Sequence, residues 1–297
     1  MDWNHVSVLK DEALEYLAIN PNGRYIDATL GLGGHTAAIA EQLESGEVIG
    51  IDADRDALSQ AQARLESQTD RVRFVHANFA QLREVVEERN LESVAGILAD
   101  LGVSSMELDN PERGFSFQQE GELDMRFDRE TQTLTARDIV NTYREQDLVD
   151  IFREYGDEKF PGRIARIICE QRKKQEIQTT TQLAELIRSV VPGRFKDGRI
   201  HPATRVFQAL RIEVNDELNV LRQFLRDAVE VLDKDGRLVV ISFHSGEDRI
   251  VKNIFRELAS AGHGDILTKK PIIPTEQEIA ENPRSRSAKM RVFCKHQ

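Results

Sequence analysis

The chain has 297 residues, 40% of them hydrophobic and 31% charged, with 51 acids against 40 Lys and Arg and a formal net charge of −11. This fits one large or two ordinary soluble domains; no apolar run is long enough to cross a membrane, and the opening MDWNHVSVLKDEALEYL is too mixed and charged for a secretory signal. Cys169 and Cys294 stand far apart with no CxxC, which argues against a disulfide framework or a zinc site and for a reducing, cytoplasmic setting.

Residues 8–17 carry apolar side chains at helical spacing, and Pro21-Asn22-Gly23 then turns the chain. Residues 25–30 predict a short strand, apolar almost throughout, as in a parallel strand covered on both faces. The strand runs into Gly31, Gly33 and Gly34, which let the backbone approach a ligand closely. A helix over 35–43 follows, its free N–H groups aimed at that ligand. Residues 47–52 form a second strand ending in Asp52, about twenty residues past the first glycine, where an acid accepts the ribose hydroxyls of an adenosine. Asp54 and Asp56 belong to the first turn of the next helix. A third strand, 72–76, leads to Phe79, which either lies against an adenine face or packs under the sheet. A helix to Arg89 and a fourth strand, 94–100, complete a β-α-β-α-β-α-β order that specifies a doubly wound parallel sheet.

After Asp100 the rhythm breaks into an irregular stretch rich in Gly, Ser, Asp and Phe, and then into several amphipathic helices. Residues 108–212 read as a helical insertion, with 1–107 and 213–297 forming one discontinuous α/β domain. A long helix over 218–232 returns to the sheet. Asp235-Gly236 turns into a fifth strand, 237–244, and a helix over 247–258 follows, capped by Ser245. Two more strands, around 266–268 and 290–293, close the chain. A terminal hairpin on a five-stranded parallel sheet is the methyltransferase version of the fold.

A GxG after a strand is a weak signal that also suits a nicotinamide oxidoreductase, but the third glycine such an enzyme wants would fall at Thr36. Asp100 discriminates further. It ends the fourth strand, across the crevice from the glycine turn. The exocyclic amine of a base is a poor nucleophile, and a carboxylate accepting its N–H exposes the nitrogen lone pair to an activated methyl donor. We therefore assign Asp100 as the catalytic residue; the alternative is that it caps the loop after it.

Seven motifs stand in order: GLGGH at 31–35, DLGVSS at 100–105, ERGFSF at 112–117, LDMR at 123–126, HPATRVFQALRIEVN at 201–215, FHSGEDRIVK at 243–252 and NPRSRSAKMRV at 282–292. In these the chain resembles the bacterial 16S ribosomal RNA cytosine-N4 methyltransferase family, from His5 to Val292. The resemblance implies a class I methyltransferase fold, a Rossmann-like seven-stranded sheet with a terminal antiparallel hairpin, plus an inserted all-α domain that recognises rRNA. It implies S-adenosyl-L-methionine as cofactor, 16S rRNA of the small ribosomal subunit as partner, no metal and no membrane. The cofactor's methionine end falls to Gly33, Gly34 and His35, its ribose to Asp52, its adenine region to Phe79 and Asp100, and a further contact to Glu107. Oligomeric state is open, a homodimer included. A catalytically silent RNA-binding assembly factor is the other reading of the same fold.

Three positions depart from the family pattern: Met106-Glu107 for Pro-Gln, Gly246 for Leu and Ser7 for Pro. Glu107 would place a carboxylate where an amide is usual. Gly246 costs helix propensity and packing, about 1 kcal/mol. For RNA, Phe115 and Phe117 either stack on the flipped base or pack the insertion. Basic residues gather between 159 and 211, among them Arg194, Lys196 and Arg199. Arg205, Arg284, Arg286 and Arg291 are the candidates for phosphate contact, with Glu213 an intramolecular partner for either Arg205 or Arg211.

Overall fold

The computed structural model describes residues 7–68, 70–91, 94–193 and 201–296; Arg194, Lys196 and Arg199 of the basic run lie outside the described residues. The chain divides into two compact units, Met1–Gly102 with Leu218–Gln297, and Val103–Glu217.

In chain order, the first unit begins with α1 (Lys10–Leu17), β1 (Arg24–Asp27), α2 (Gly34–Glu41), β2 (Glu47–Asp52), α3 (Arg55–Arg64), β3 (Val72–His76), α4 (Leu82–Glu88) and β4 (Gly96–Asp100). The second unit holds α5 (Ser105–Asp109), α6 (Ala136–Thr142), α7 (Glu145–Glu154), α8 (Pro161–Arg172), α9 (Thr180–Val190) and α10 (Thr204–Asn215). The chain then returns through α11 (Glu217–Val231) to β5 (Arg237–Ser242), α12 (Ser245–Ser260), β6 (Gly264–Ile266), α13 (Glu276–Glu281) and β7 (Lys289–Lys295).

The sheet has seven strands in the order β3-β2-β1-β4-β5-β7-β6. Strands β1 to β5 run parallel, and β7 is antiparallel to both β5 and β6. This is the class I methyltransferase topology. The strands are apolar throughout because alternate residues feed two cores. Ile26, Ile97, Leu238 and Val240 join α4, α11 and α12 on one face. Tyr25, Leu98, Val239 and Ile241 join α1 and α2 on the other. Among the described residues no helix is long and apolar enough to cross a membrane. Both cysteines are free thiols.

The second unit is all-α and has its own core, in which Ile139, Phe152, Ile168, Leu183 and Leu210 are among the buried side chains. Thr179 caps α9 in a capping box with Gln182. The unit begins and ends five residues outside the 108–212 expected for the insertion, because Val103, Leu108 and Val214 pack on that core.

Two local expectations are corrected. β1 stops at Asp27 rather than continuing to residue 30, since the Thr29 N–H folds back onto Asp27 Oδ1 at 3.2 Å. The cap of α12 is His244, not Ser245: its ring Nδ1 accepts from the N–H groups of Gly246 (3.2 Å) and Glu247 (3.3 Å). In return Glu247 Oε2 accepts the His244 and Phe243 N–H groups. A Cβ at position 246 would stand 3.0 Å from His244 Nδ1, so the glycine that departs from the family pattern leaves room for an imidazole cap.

Candidate active site

β1, β2 and β4 are parallel neighbours, and their carboxyl ends present Asp27, Asp52 and Asp100 beside the glycine turn. The turn closes with the Gly33 N–H on the Leu30 carbonyl at 2.7 Å and carries positive φ at Gly31 (51°) and Gly33 (74°). A Cβ at Gly33 would strike Leu65 at 2.8 Å, whereas one at Gly31 would meet nothing within 4 Å. Gly31 therefore borders open space, as a cradle for a ligand requires. Gly33 itself caps α2 without a side-chain hydrogen bond, leaving the helix N-terminus to what lies in front of it. Asp52 fastens this turn: Oδ2 accepts the Gly31 N–H at 2.7 Å and Oδ1 the Asp54 N–H at 2.8 Å. Two of its roughly four acceptor positions stay available, enough for a pair of vicinal hydroxyls.

His35 and Asp100 face each other across the first turn of α2. His35 Nε2 lies 3.0 Å from the Val8 carbonyl, which can only accept, so Nε2 carries the proton and Nδ1 presents its lone pair. Burial holds the imidazole pKa down at about 4, against the favourable Val8 bond, so the ring is neutral at pH 7. Its Nδ1 stands 3.7 Å from Asp100 Oδ2, and Asp100 Oδ1 is buried with no hydrogen-bond partner among the described residues. Two acceptors facing one another call for a donor or a cation between them or beside them.

Behind them Asp27, 1% exposed, accepts the Thr36 hydroxyl at 2.7 Å and the Thr29 N–H. Thr29 Oγ1 in turn accepts the Asp100 N–H at 2.6 Å, which locks the two strand ends together. Burial raises the pKa of all three acids. Asp27 and Asp52 are each pushed up to about 6, and Asp100 well above the usual range, with the charges of Asp27 and Glu247 adding to burial there. Such a cluster fits a cationic ligand carrying ribose, and S-adenosylmethionine is one: its sulfonium and ammonium supply the missing positive charge.

The remaining predicted residues sort differently. Phe79 is half-buried and meets the buried Phe224 edge-on at 5.2 Å, so it packs against the core beneath the sheet. Phe115 is buried and stacked on Phe127 at 5.5 Å, which takes it out of contention for a flipped base. Phe117 is wedged between His201 (4.7 Å) and Phe207 (4.8 Å) and also serves packing. Glu107 is buried at the start of α5, where Oε2 accepts the Ser104 N–H at 2.8 Å and Oε1 lies 3.6 Å from Arg113. Arg205 donates to the Asp157 carbonyl at 3.2 Å. Arg211 pairs with Glu217, not Glu213, which instead accepts the Tyr143 hydroxyl. Arg291 is corrected: it is 7% exposed and bound to Asp248 at 2.6 Å, so it braces β7 against α12 and is not offered to phosphate. Arg284 and Arg286 are exposed. Sequence reasoning missed Asp27 and Thr36. The signal was available: an acid ends the first strand, and a hydroxyl stands where a dinucleotide fold wants glycine.

Comparison with known proteins gives the family. Residues 2–296 match the MraW methylase family. Ribosomal RNA small subunit methyltransferase H 2 of Agathobacter rectalis is 46% identical, over 100% of this chain and 99% of its own. Ribosomal RNA small subunit methyltransferase H of Nostoc punctiforme is 50% identical, over 98% and 93%. Among solved structures, an rRNA methylase from Streptococcus thermophilus aligns with a TM-score of 0.46 at 11% identity, covering 99% of each chain. With near end-to-end matches at this identity, the chain belongs to the MraW methylase family.

Proposed function

We propose that this methylase transfers the methyl group of S-adenosyl-L-methionine to the exocyclic N4 of a cytidine in 16S rRNA of the small ribosomal subunit. When bound, the cofactor supplies an activated methyl on a sulfonium, with S-adenosylhomocysteine as leaving group. The chain supplies placement and a proton acceptor. Gly31 leaves room for the ligand, Gly33 and Gly34 let the turn pack closely beneath it, Asp52 takes the ribose hydroxyls, and neutral His35 offers Nδ1 to the methionine ammonium. Asp100 accepts the N4–H, which concentrates the lone pair on nitrogen, and takes up the proton as the N–CH3 bond forms. The observation that carries this reading is the unpartnered Asp100 Oδ1 at the strand end beside the glycine turn.

The direct test incubates the protein with 30S subunits from cells lacking it and with tritiated S-adenosylmethionine, followed by mass spectrometry of the rRNA nucleosides. N4-methylcytidine is the expected product. Cofactor binding without methyl transfer would instead leave an assembly factor.

The raised carboxyl pKa values give a second test, with opposite signs for ligand and fold. Asp52 gains a proton as pH falls through about 6, so cofactor affinity is expected to weaken about ten-fold per pH unit below that point. In the unliganded protein the unfolded chain ionises these acids first, near 3.8. The stability contribution of Asp27 and Asp52 is therefore complete below that value and is lost as pH rises to about 6. Calorimetric titration with S-adenosylhomocysteine across about pH 5 to 7.5, and melting of the free protein across about pH 3.5 to 7, read the two trends. A pH-independent affinity would remove Asp52 from the ribose site.

A further inference from the structure

We infer that the pocket at the carboxyl end of β5 seats a nucleotide adjoining the target cytidine, its base on an apolar wall and its phosphate on Arg286. The inference rests on the rRNA methyltransferase reading and names the part of the substrate that the three-carboxylate site leaves unheld. The pocket has a volume of about 310 Å³ and lies between the start of α12 and the segments around 273–279 and 286–289. That volume is at the small end for a ligand pocket, the scale of one nucleotide unit. Phe243, Ile273, Pro274 and Ile279 supply its apolar surface, and Arg286 and Lys289 its basic side.

Three observations point to a nucleic-acid occupant. Ile273 is 62% exposed, and with Leu267 it is one of two exposed large hydrophobic residues among those described. It is not a slack loop residue: its neighbour Ile272 exchanges both backbone hydrogen bonds with Met290 of β7, at 2.9 and 2.8 Å, which sets Ile273 on the pocket rim. An apolar side chain held in solvent beside a cation matches the two needs of a stacked, charged nucleotide.

The second observation is charge. Lys289 is already engaged with Asp248 at 3.6 Å, and Glu247 and Asp248 offset the N-terminus of α12. Arg286 is exposed and has no partner among the described residues. It is the cation left over for a phosphate.

The third is position. β5 is the strand next to β4, and Phe243, which follows β5, approaches Gly102 just beyond Asp100: a Cβ at Gly102 would lie 3.5 Å from its ring. α13, which carries Ile279, is tied to the cofactor turn through two consecutive residues. Glu278 accepts the Leu9 N–H at 2.8 Å, and the preceding Val8 carbonyl accepts from His35. The pocket therefore shares its supports with the proposed methyl-transfer site and opens one strand along from Asp100.

Ile273→Ser and Arg286→Ala both change exposed side chains. Each is expected to raise KM for unmodified 30S subunits about five- to ten-fold, with kcat within about two-fold of wild type and affinity for S-adenosylhomocysteine unchanged. The slope of log KM against log salt separates them: Arg286→Ala should lower it by about 0.7, the value for one phosphate on a single strand, and Ile273→Ser should leave it alone. Wild-type KM in both variants overturns the inference. So does an effect confined to Arg286→Ala, which would mark a surface phosphate contact with no base in the pocket. If wild-type protein places no methyl on 30S subunits, the enzyme reading fails by itself. The pocket is then judged by anisotropy with a fluorescein-labelled hexacytidylate, whose binding both variants must weaken.

Discussion

Replacing Asp100 by alanine is expected to lower kcat for methyl transfer by about 10²- to 10³-fold, the scale of a lost proton acceptor. The fold should remain intact. Asp100 gives its backbone N–H to Thr29 Oγ1, and that bond survives the substitution. Its side chain contributes no hydrogen bond among the described residues, and it stands near Asp27 and Glu247, whose charges oppose its ionisation. Removing a half-buried carboxyl whose Oδ1 has no hydrogen-bond partner among the described residues relieves a desolvation cost, so the melting temperature of the free protein is expected to hold or rise near pH 7. A merely structural residue would lose stability and activity together. Asp100→Asn sharpens the test. Its carbonyl can still accept the N4–H but cannot take the proton, so a smaller loss is expected. The fall of kcat toward acid that is expected of the wild type, as the raised Asp100 carboxyl becomes protonated, should flatten in that variant. Full activity in Asp100→Ala would leave the fold standing and the mechanism without its base.

How much of this was legible depends on the range over which each residue's role is decided. The five parallel strands were readable because burial on both faces makes them apolar throughout, and acids at their ends stand out against that background. Asp52 and Asp100 follow from this local contrast, and β1 and β4 do lie side by side as their roles require. Asp27 was overlooked because small and apolar residues continue to Leu30, which makes the acid look interior to a strand that in fact ends on it. Arg291 was unreadable: its partner Asp248 lies 43 residues away and meets it only when β7 enters the sheet. The aromatic pair stayed open between stacking and packing for a related reason. A Phe in a Gly- and Ser-rich stretch looks available, but Phe115 and Phe117 are covered by Phe127, His201 and Phe207 from later in the chain. The His244 cap was hidden by composition, since Ser245 beside it is the better N-cap by type and only the ring geometry decides otherwise.

Arg113→Ala is expected to destabilise the Val103–Glu217 unit by about 3–5 kcal/mol, the cost of leaving a buried charge without its partner. Arg113 is 3% exposed and donates through Nη2 to the carbonyls of Arg126 (2.9 Å) and Phe127 (3.1 Å). The same nitrogen lies 3.6 Å from Glu107, itself 5% exposed, and the guanidinium sits over the Phe115 ring at 5.7 Å. Truncation would take this cation from beside the buried Glu107 carboxylate and remove the donor to two carbonyls at once. Urea unfolding reads the loss, followed by a tryptophan placed in the Val103–Glu217 unit of a Trp3→Phe background, where it is the sole indole and reports on that unit. Glu107→Gln should cost less than about 1.5 kcal/mol, because an amide oxygen can still accept the Ser104 N–H and Arg113 keeps its two carbonyls. Arg113→Met combined with Glu107→Gln should recover part of the Arg113→Ala loss, as expected when both members of a buried pair are replaced by neutral groups. Glu107→Gln also decides what the departure from Pro-Gln at 106–107 means. If the carboxylate serves the capping box and the Arg113 pair, affinity for S-adenosylhomocysteine stays at the wild-type value while stability shifts. If Glu107 touches the cofactor, as the family resemblance implies, affinity changes while stability holds, and the charge at this position is then a feature of cofactor binding in this chain.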